Sequence, residues 1–225
     1  MGHITLTGNP TVEIKVRRSA RARRLSLRVS RLDGRVTMTL PTHVSDTEAR
    51  KFANAKSRWI LKTLDDHAAP IPVSPGTVLP VEGRERVVVD GKPAQITAAE
   101  IKVPGARAGK ATEALLKHMA RDRLVSAVER YADALGRPFG RITLRDTRSR
   151  WGSCSSEGNL MFSWRLILAA PDVLDYVAAH EVAHLARMDH SPVFWAHVAD
   201  LCPGYETPRA WLRREGHALH RYRFS

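Results

Sequence analysis

The stretch HEVAHLARMDH, residues 180–190, holds three histidines and one glutamate in eleven positions, and its reading decides what surrounds it. His180 and His184 are four apart, so on a helix their imidazoles lie one turn from each other and can reach a single metal ion. Glu181 lies roughly 100° further round the helix, near enough to touch water beside such an ion without entering its coordination shell. The other reading is a helix with two partly buried histidines bonded to backbone or carboxylates. The flanks favour the metal. Pro171 suits a first helical turn, and the spacing predicts one helix over 171–187 and a second over 192–201, capped by Ser191 and ended by Pro203-Gly204.

The pattern is the HExxH zinc motif. Zinc held by neutral ligands with one open position lowers the pKa of its water to about 7, and a carboxylate then takes the proton as the water attacks a carbonyl. That makes Glu181 the candidate catalytic base and His180 and His184 candidate metal ligands. A third ligand must come from elsewhere. His190 stands six residues after His184, the offset used by the extended zincin pattern, in which a glycine normally turns the chain three residues after the second histidine. Here that position is Arg187, so spacing alone leaves His190 open.

At 225 residues and 43% hydrophobic composition, the chain is long enough for one large domain or two small ones. No apolar run approaches the ~18 residues needed to cross a bilayer, and the first residues alternate instead of forming a leader. A soluble, cytoplasmic protein without membrane contact is the expectation. Cys154 and Cys202 are too few for a disulfide framework. The net charge of +13 attracts polyanions. Nine Lys or Arg residues stand between Lys15 and Arg35 against the single acid Asp33, and a second basic cluster, Arg209, Arg213, Arg214, Arg221 and Arg223, closes the chain.

Residues 3–40 alternate with period two, and Asp33-Gly34 predicts a hairpin pairing Leu25–Ser30 with Arg35–Leu40. Ser45 with Glu48 opens a helix expected to run to Leu64 on a face of Phe52, Ala55, Trp59 and Leu64. Strand patterns return at TVLPVEGRERVVVD, AQITAA and EIKVPG. A long helix is predicted over 112–135, with Leu115, Met119, Leu124, Val128 and Tyr131 inward and Gly136 as its stop. The fold class is therefore α+β: a basic β-rich unit with one helix over residues 1–106, then a mainly helical domain over 107–225 that carries the HExxH helix.

The segment RWGSCSSEGNLMFSW, before that helix, combines small residues with a turn at Glu157-Gly158 and an apolar run, so it predicts a hairpin. An edge strand beside a metal helix can hold an extended peptide by main-chain pairing. With RWGSCS, DYVAAHEVAHL and DHSPVFW in this order, followed by CPGYETPRAWL, the chain resembles the YgjP-like metal-dependent hydrolases, also classed as YgjP-like metallopeptidases. The resemblance is specific over residues 140–215 and also fits the RRSARARRLSLRV start. It implies a zincin-like metallohydrolase domain over 107–225 with His180, His184 and His190 as ligands of Zn2+ and Glu181 as base; that family lacks the turn glycine and still places the third histidine. More distantly the chain is similar to the SprT-like proteases, which act on proteins attached to DNA.

Other residues divide between chemistry and packing. Cys154 is a fourth ligand, a nucleophile or, more in keeping with its small neighbours, a packing residue. Trp151, Trp164, Phe194 and Trp195 suit a core, and Tyr205 suits either an oxyanion contact or packing under the third ligand. Asp175 is expected to cap its helix, Arg148 and Arg150 to bind an anion or face solvent, and His197, His217 and His220 to lie on the surface. Three functions follow: a zinc hydrolase with a peptide bond as default substrate; the same metal site hydrolysing a nucleotide phosphoanhydride; and a hydrolase brought to nucleic acid by its basic N-terminal unit, with salt-sensitive binding.

Overall fold

Alternating apolar residues build the first sheet of the computed structural model, which describes residues 2–7, 11–30, 34–65 and 69–225. Strands β1 (Gly2–Leu6), β2 (Val12–Arg18), β3 (Ser26–Val29) and β4 (Val36–Leu40) lie in the order β1-β2-β4-β3, with β2 parallel to β4 and the outer pairs antiparallel. Ile14, Met38 and Leu40 are fully buried on one face, while Arg17 and Arg28 on the other are exposed. The expected pairing of 25–30 with 35–40 is present; Asp33 of its turn lies outside the described residues.

Helix α1 (Asp46–Ala55) starts on a full capping box: Ser45 Oγ accepts the Glu48 N–H, and Glu48 accepts the Ser45 N–H. The single helix expected through Leu64 is two. It breaks at Lys56, whose N–H is shared by the Phe52 and Ala53 carbonyls, and α2 (Ser57–Asp65) follows. The inward face centres on Ala49, Ala53 and Ile60, with Phe52 and Leu64 half-buried against the same core; Ala55 and Trp59 are exposed. Both stripes have helical spacing, and the alanines win because they let the helix lie close to the sheet.

Composition places a boundary at 106, but the compact units are residues 1–69 and 70–225. Strands β5 (Ile71–Pro72), β6 (Val78–Val81), β7 (Arg84–Asp90), β8 (Gln95–Ile96) and β9 (Glu100–Val103) belong to the second unit. The physical reason is burial: Leu79, Val81, Val88, Ile101 and Val103 share one apolar core with α3 (Ala108–Leu135). The β6–β7 turn has positive φ at both Glu82 (52°) and Gly83 (71°), as a two-residue hairpin requires. A Cβ added at Gly83 would stand 3.1 Å from Ala170 Cα, and Glu82 accepts a hydrogen bond from Arg123 Nε at 2.7 Å, so the turn is tied to the body of its unit.

Helix α3 begins four residues earlier than its pattern indicates and stops at Gly136, which takes the left-handed conformation at φ 64°. Leu116, Ala120, Leu124 and Val128 form its buried face, while Leu115 and Met119 are half-buried. Beside it lies a three-stranded sheet of β10 (Ile142–Arg145), β11 (Gly152–Cys154) and β12 (Leu160–Ser163), ordered β10-β12-β11 with β11 antiparallel on the edge. A buried 3-10 turn, 164–168, leads into α4 (Pro171–Ala183), followed by α5 (Pro192–Leu201), α6 (Glu206–Glu215) and β13 (Tyr222–Arg223). The architecture is α+β.

Arg165, 5% exposed, joins these parts. It donates to Asp146 through Nε (2.6 Å) and Nη2 (2.9 Å), and through Nη1 to the Leu219 and Tyr222 carbonyls at 3.1 Å each. Such a fork satisfies most of a guanidinium's donors, the condition for burying one. Among the described residues no helix is long and apolar enough to cross a membrane.

Candidate metal centre

His180 and Glu181 stand in the last turn of α4, and His184 occupies its C-terminal cap with φ −64° and ψ −21°. The chain then coils through tight turns, Leu185 N–H to Val182 O and Arg187 N–H to Ala183 O, that need no left-handed residue; Arg187 has no positive φ. This is why a glycine is dispensable at 187. The Arg187 carbonyl lies 3.0 Å from His184 Nδ1, so that nitrogen carries the proton and leaves Nε2 free to ligate. Asp189 Oδ1 then accepts the Ser191 N–H at 3.0 Å, and its carboxyl is held below the usual range by those Ser191 hydrogen bonds. Ser191 sits at the helix cap as expected, but its hydroxyl makes no capping bond.

These turns deliver His190 opposite His180, with Nε2 to Nε2 at 3.2 Å. One ligand atom from each of His180, His184 and His190 lies within 4.8 Å of the others. Fully buried Phe194 is the floor of the cluster, with ring centroids 4.9, 4.5 and 4.8 Å from those three imidazoles. Burial pushes His180 down to about 3, with the charges of His184 and His190 adding to it, and burial also lowers His184. Both are therefore neutral and have lone pairs to give. Two nitrogens on a tetrahedral zinc with bonds of ~2.05 Å stand about 3.3 Å apart, so the donor set and the His180–His190 spacing fit such an ion.

Glu181 is 6% exposed, and burial pushes its carboxyl up to about 8, with Arg150 opposing the rise. A cation held by the neighbouring imidazoles would favour the ionised form, the form a base needs. The carboxylate rests on the edge strand: a Cβ at Gly152 would stand 2.5 Å from Glu181 Oε1 and 2.6 Å from its Cγ. The glycine of RWGSC is thus the seat of Glu181.

A cleft of about 460 Å³ opens beside His180 and His190, walled by Trp151, Tyr176, Trp195, Arg209, Leu212 and Arg213. Of the four aromatics assigned to the core, Trp164 and Phe194 are fully buried, but Trp151 and Trp195 line this cleft. Tyr205 is buried and stacks on Trp195 (5.4 Å, 15°) and Tyr176 (6.2 Å, 16°), the packing role. Helix α6 was legible only as part of a basic cluster; Arg209, Leu212 and Arg213, at i, i+3 and i+4, form the face that a helical reading would have found.

Cys154 stands outside the histidine cluster. Burial, with Glu181 adding, pushes its thiol up to about 11, which disfavours the thiolate a nucleophile needs at neutral pH. Asp175 does not cap α4; it pairs with Arg130 of α3 at 3.1 Å, while Asp172 accepts the Val173 N–H. Arg148 and Arg150 are exposed. Of the histidines expected on the surface, His197 and His217 are half-buried, and His220 is buried against Trp151 (5.1 Å), where burial and then Arg165 push it down to about 4.

Three imidazoles converging beside a buried glutamate on an α+β frame define the class of metal-dependent hydrolases. The family model described as YgjP-like, metallopeptidase domain, matches residues 23–215, and the chain belongs to that family. A solved structure, the crystal structure of the metallopeptidase zymogen of Pyrococcus abyssi abylysin, is 22% identical with a TM-score of 0.37, over 41% of this chain and 95% of that one. No curated protein matches the chain.

Proposed function

We propose that this protein is a zinc peptidase in which His180, His184 and His190 hold the ion and Glu181 is the general base. The observation that carries the reading is the convergence of three imidazoles on one another, two of them held neutral, with the next residue after His180, Glu181, buried against an edge strand. An all-imidazole set suits zinc. When bound, the ion supplies Lewis acidity toward water and the substrate carbonyl.

The remaining work falls to the chain. Phe194 and the Arg187 carbonyl fix the imidazoles, so little reorganisation accompanies the reaction. Strand β11 pairs on one side with β12 and is free on its outer edge among the described residues, suited to an extended peptide by main-chain pairing. Glu181 takes a proton from water on one carboxylate oxygen and passes it to the leaving amine, acting first as base and then as acid.

The alternative substrate, a nucleotide phosphoanhydride, draws support from the two guanidinium groups lining the cleft. Incubation of the zinc-loaded protein with an unfolded protein and, separately, with nucleoside triphosphates distinguishes the two. Peptide fragments without phosphate or pyrophosphate release are expected; phosphate or pyrophosphate release with the protein left intact would replace the peptidase reading.

A further inference from the structure

The cleft beside the candidate centre carries two positive charges with no carboxylate partner among the described residues. Arg123, Arg130, Arg165, Arg187 and Arg214 each pair with a carboxylate. Arg209 and Arg213 make neither an ion pair nor a side-chain hydrogen bond among the described residues, and no carboxylate lines the cleft they face. Arg209 is not a freely waving surface side chain. Its guanidinium lies 4.1 Å from the Trp195 ring centroid, and Tyr205 also stacks on that indole at 5.4 Å. Stacking fixes the plane of a guanidinium while leaving its edge N–H groups free to donate, the arrangement suited to a carboxylate.

We infer that Arg209 and Arg213 form an anion subsite that selects peptides with an acidic side chain near the scissile bond. This rests on the peptidase reading above. The Trp195 ring lies 5.6 Å from His180 and 6.0 Å from His190, so the Arg209 guanidinium stands within about 10 Å of both imidazoles. At ~3.3 Å per residue of extended chain, the acidic residue falls within about three positions of the bond that is cut. Trp151 and Leu212 supply apolar wall for the stem of that side chain.

The test measures binding, so it does not depend on turnover. Peptide pairs differing only by Glu or Gln at each position are titrated into zinc-loaded Glu181→Gln protein by calorimetry at low salt. The Glu member is expected to bind at least about tenfold tighter at one position, a preference that added salt weakens. Arg209→Gln with Arg213→Gln erases the preference, and the double Lys variant, folded by the same thermal melt, keeps part of it. Equal binding of the pairs, no binding of either member, or a preference that survives the double Gln variant overturns the subsite. Displacement of the acidic peptide by a nucleoside triphosphate at a lower concentration than by the peptide itself assigns the arginines to phosphate and also overturns it. If the preference holds but the wild-type protein cuts no peptide, the subsite stands and the peptidase reading fails.

Discussion

Glu181→Gln is expected to lower kcat by roughly 10²–10⁴-fold while leaving metal content at the wild-type level. The substitution keeps size and hydrogen bonding but removes the ability to take a proton. Glu181 is buried against β11, where the charge of Arg150 opposes the rise of its pKa and no second carboxylate acts on it among the described residues. Steady-state kinetics on a cleaved peptide and elemental analysis of the same preparation read the two effects together. Retained kcat would remove Glu181 from the mechanism, and loss of metal alongside activity would make it a ligand.

Gly152→Ala tests the same carboxylate from the other side. The added methyl would stand 2.5 Å from Glu181 Oε1, 2.6 Å from Cγ and 2.8 Å from Cδ, all closer than carbon atoms tolerate. Because Glu181 is buried at the end of a packed helix, the clash moves either the carboxylate or the edge strand that the proposed substrate pairs with. A displacement of about 1 Å at a reacting group costs on the order of 10²-fold, so kcat/KM is expected to fall at least that far. Overpacking should lower stability by about 1–3 kcal/mol, with the three histidines and metal binding intact. A folded Gly152→Ala protein of normal activity would show that Glu181 has room that the structure denies it.

Local chemistry explains which parts were legible in the sequence. The Ser45–Glu48 capping box and the Gly136 stop are decided within a few residues, and each lies where its pattern indicates. The pairing of His180 with His184 is likewise set by helical spacing, whereas the approach of His190 depends on turns through Arg187 and Asp189 that no motif records. Partnerships made across long sequence separations stayed hidden. Arg165 with Asp146, Asp175 with Arg130 and Gly152 under Glu181 join separate elements, and so does the sharing of β6–β9 with the α3 core that moves the unit boundary from 106 to 69. Burial of His220 has the same origin, since it depends on Trp151 from a different hairpin.

Metal analysis of the purified chain, supplied with zinc and then dialysed, tests the three-histidine centre most directly. The wild-type protein is expected to retain one zinc per chain and His180→Ala to retain far less, because two remaining imidazoles bind an ion weakly. A wild-type chain without stoichiometric metal, or a His180→Ala variant that holds zinc as tightly, would contradict the centre.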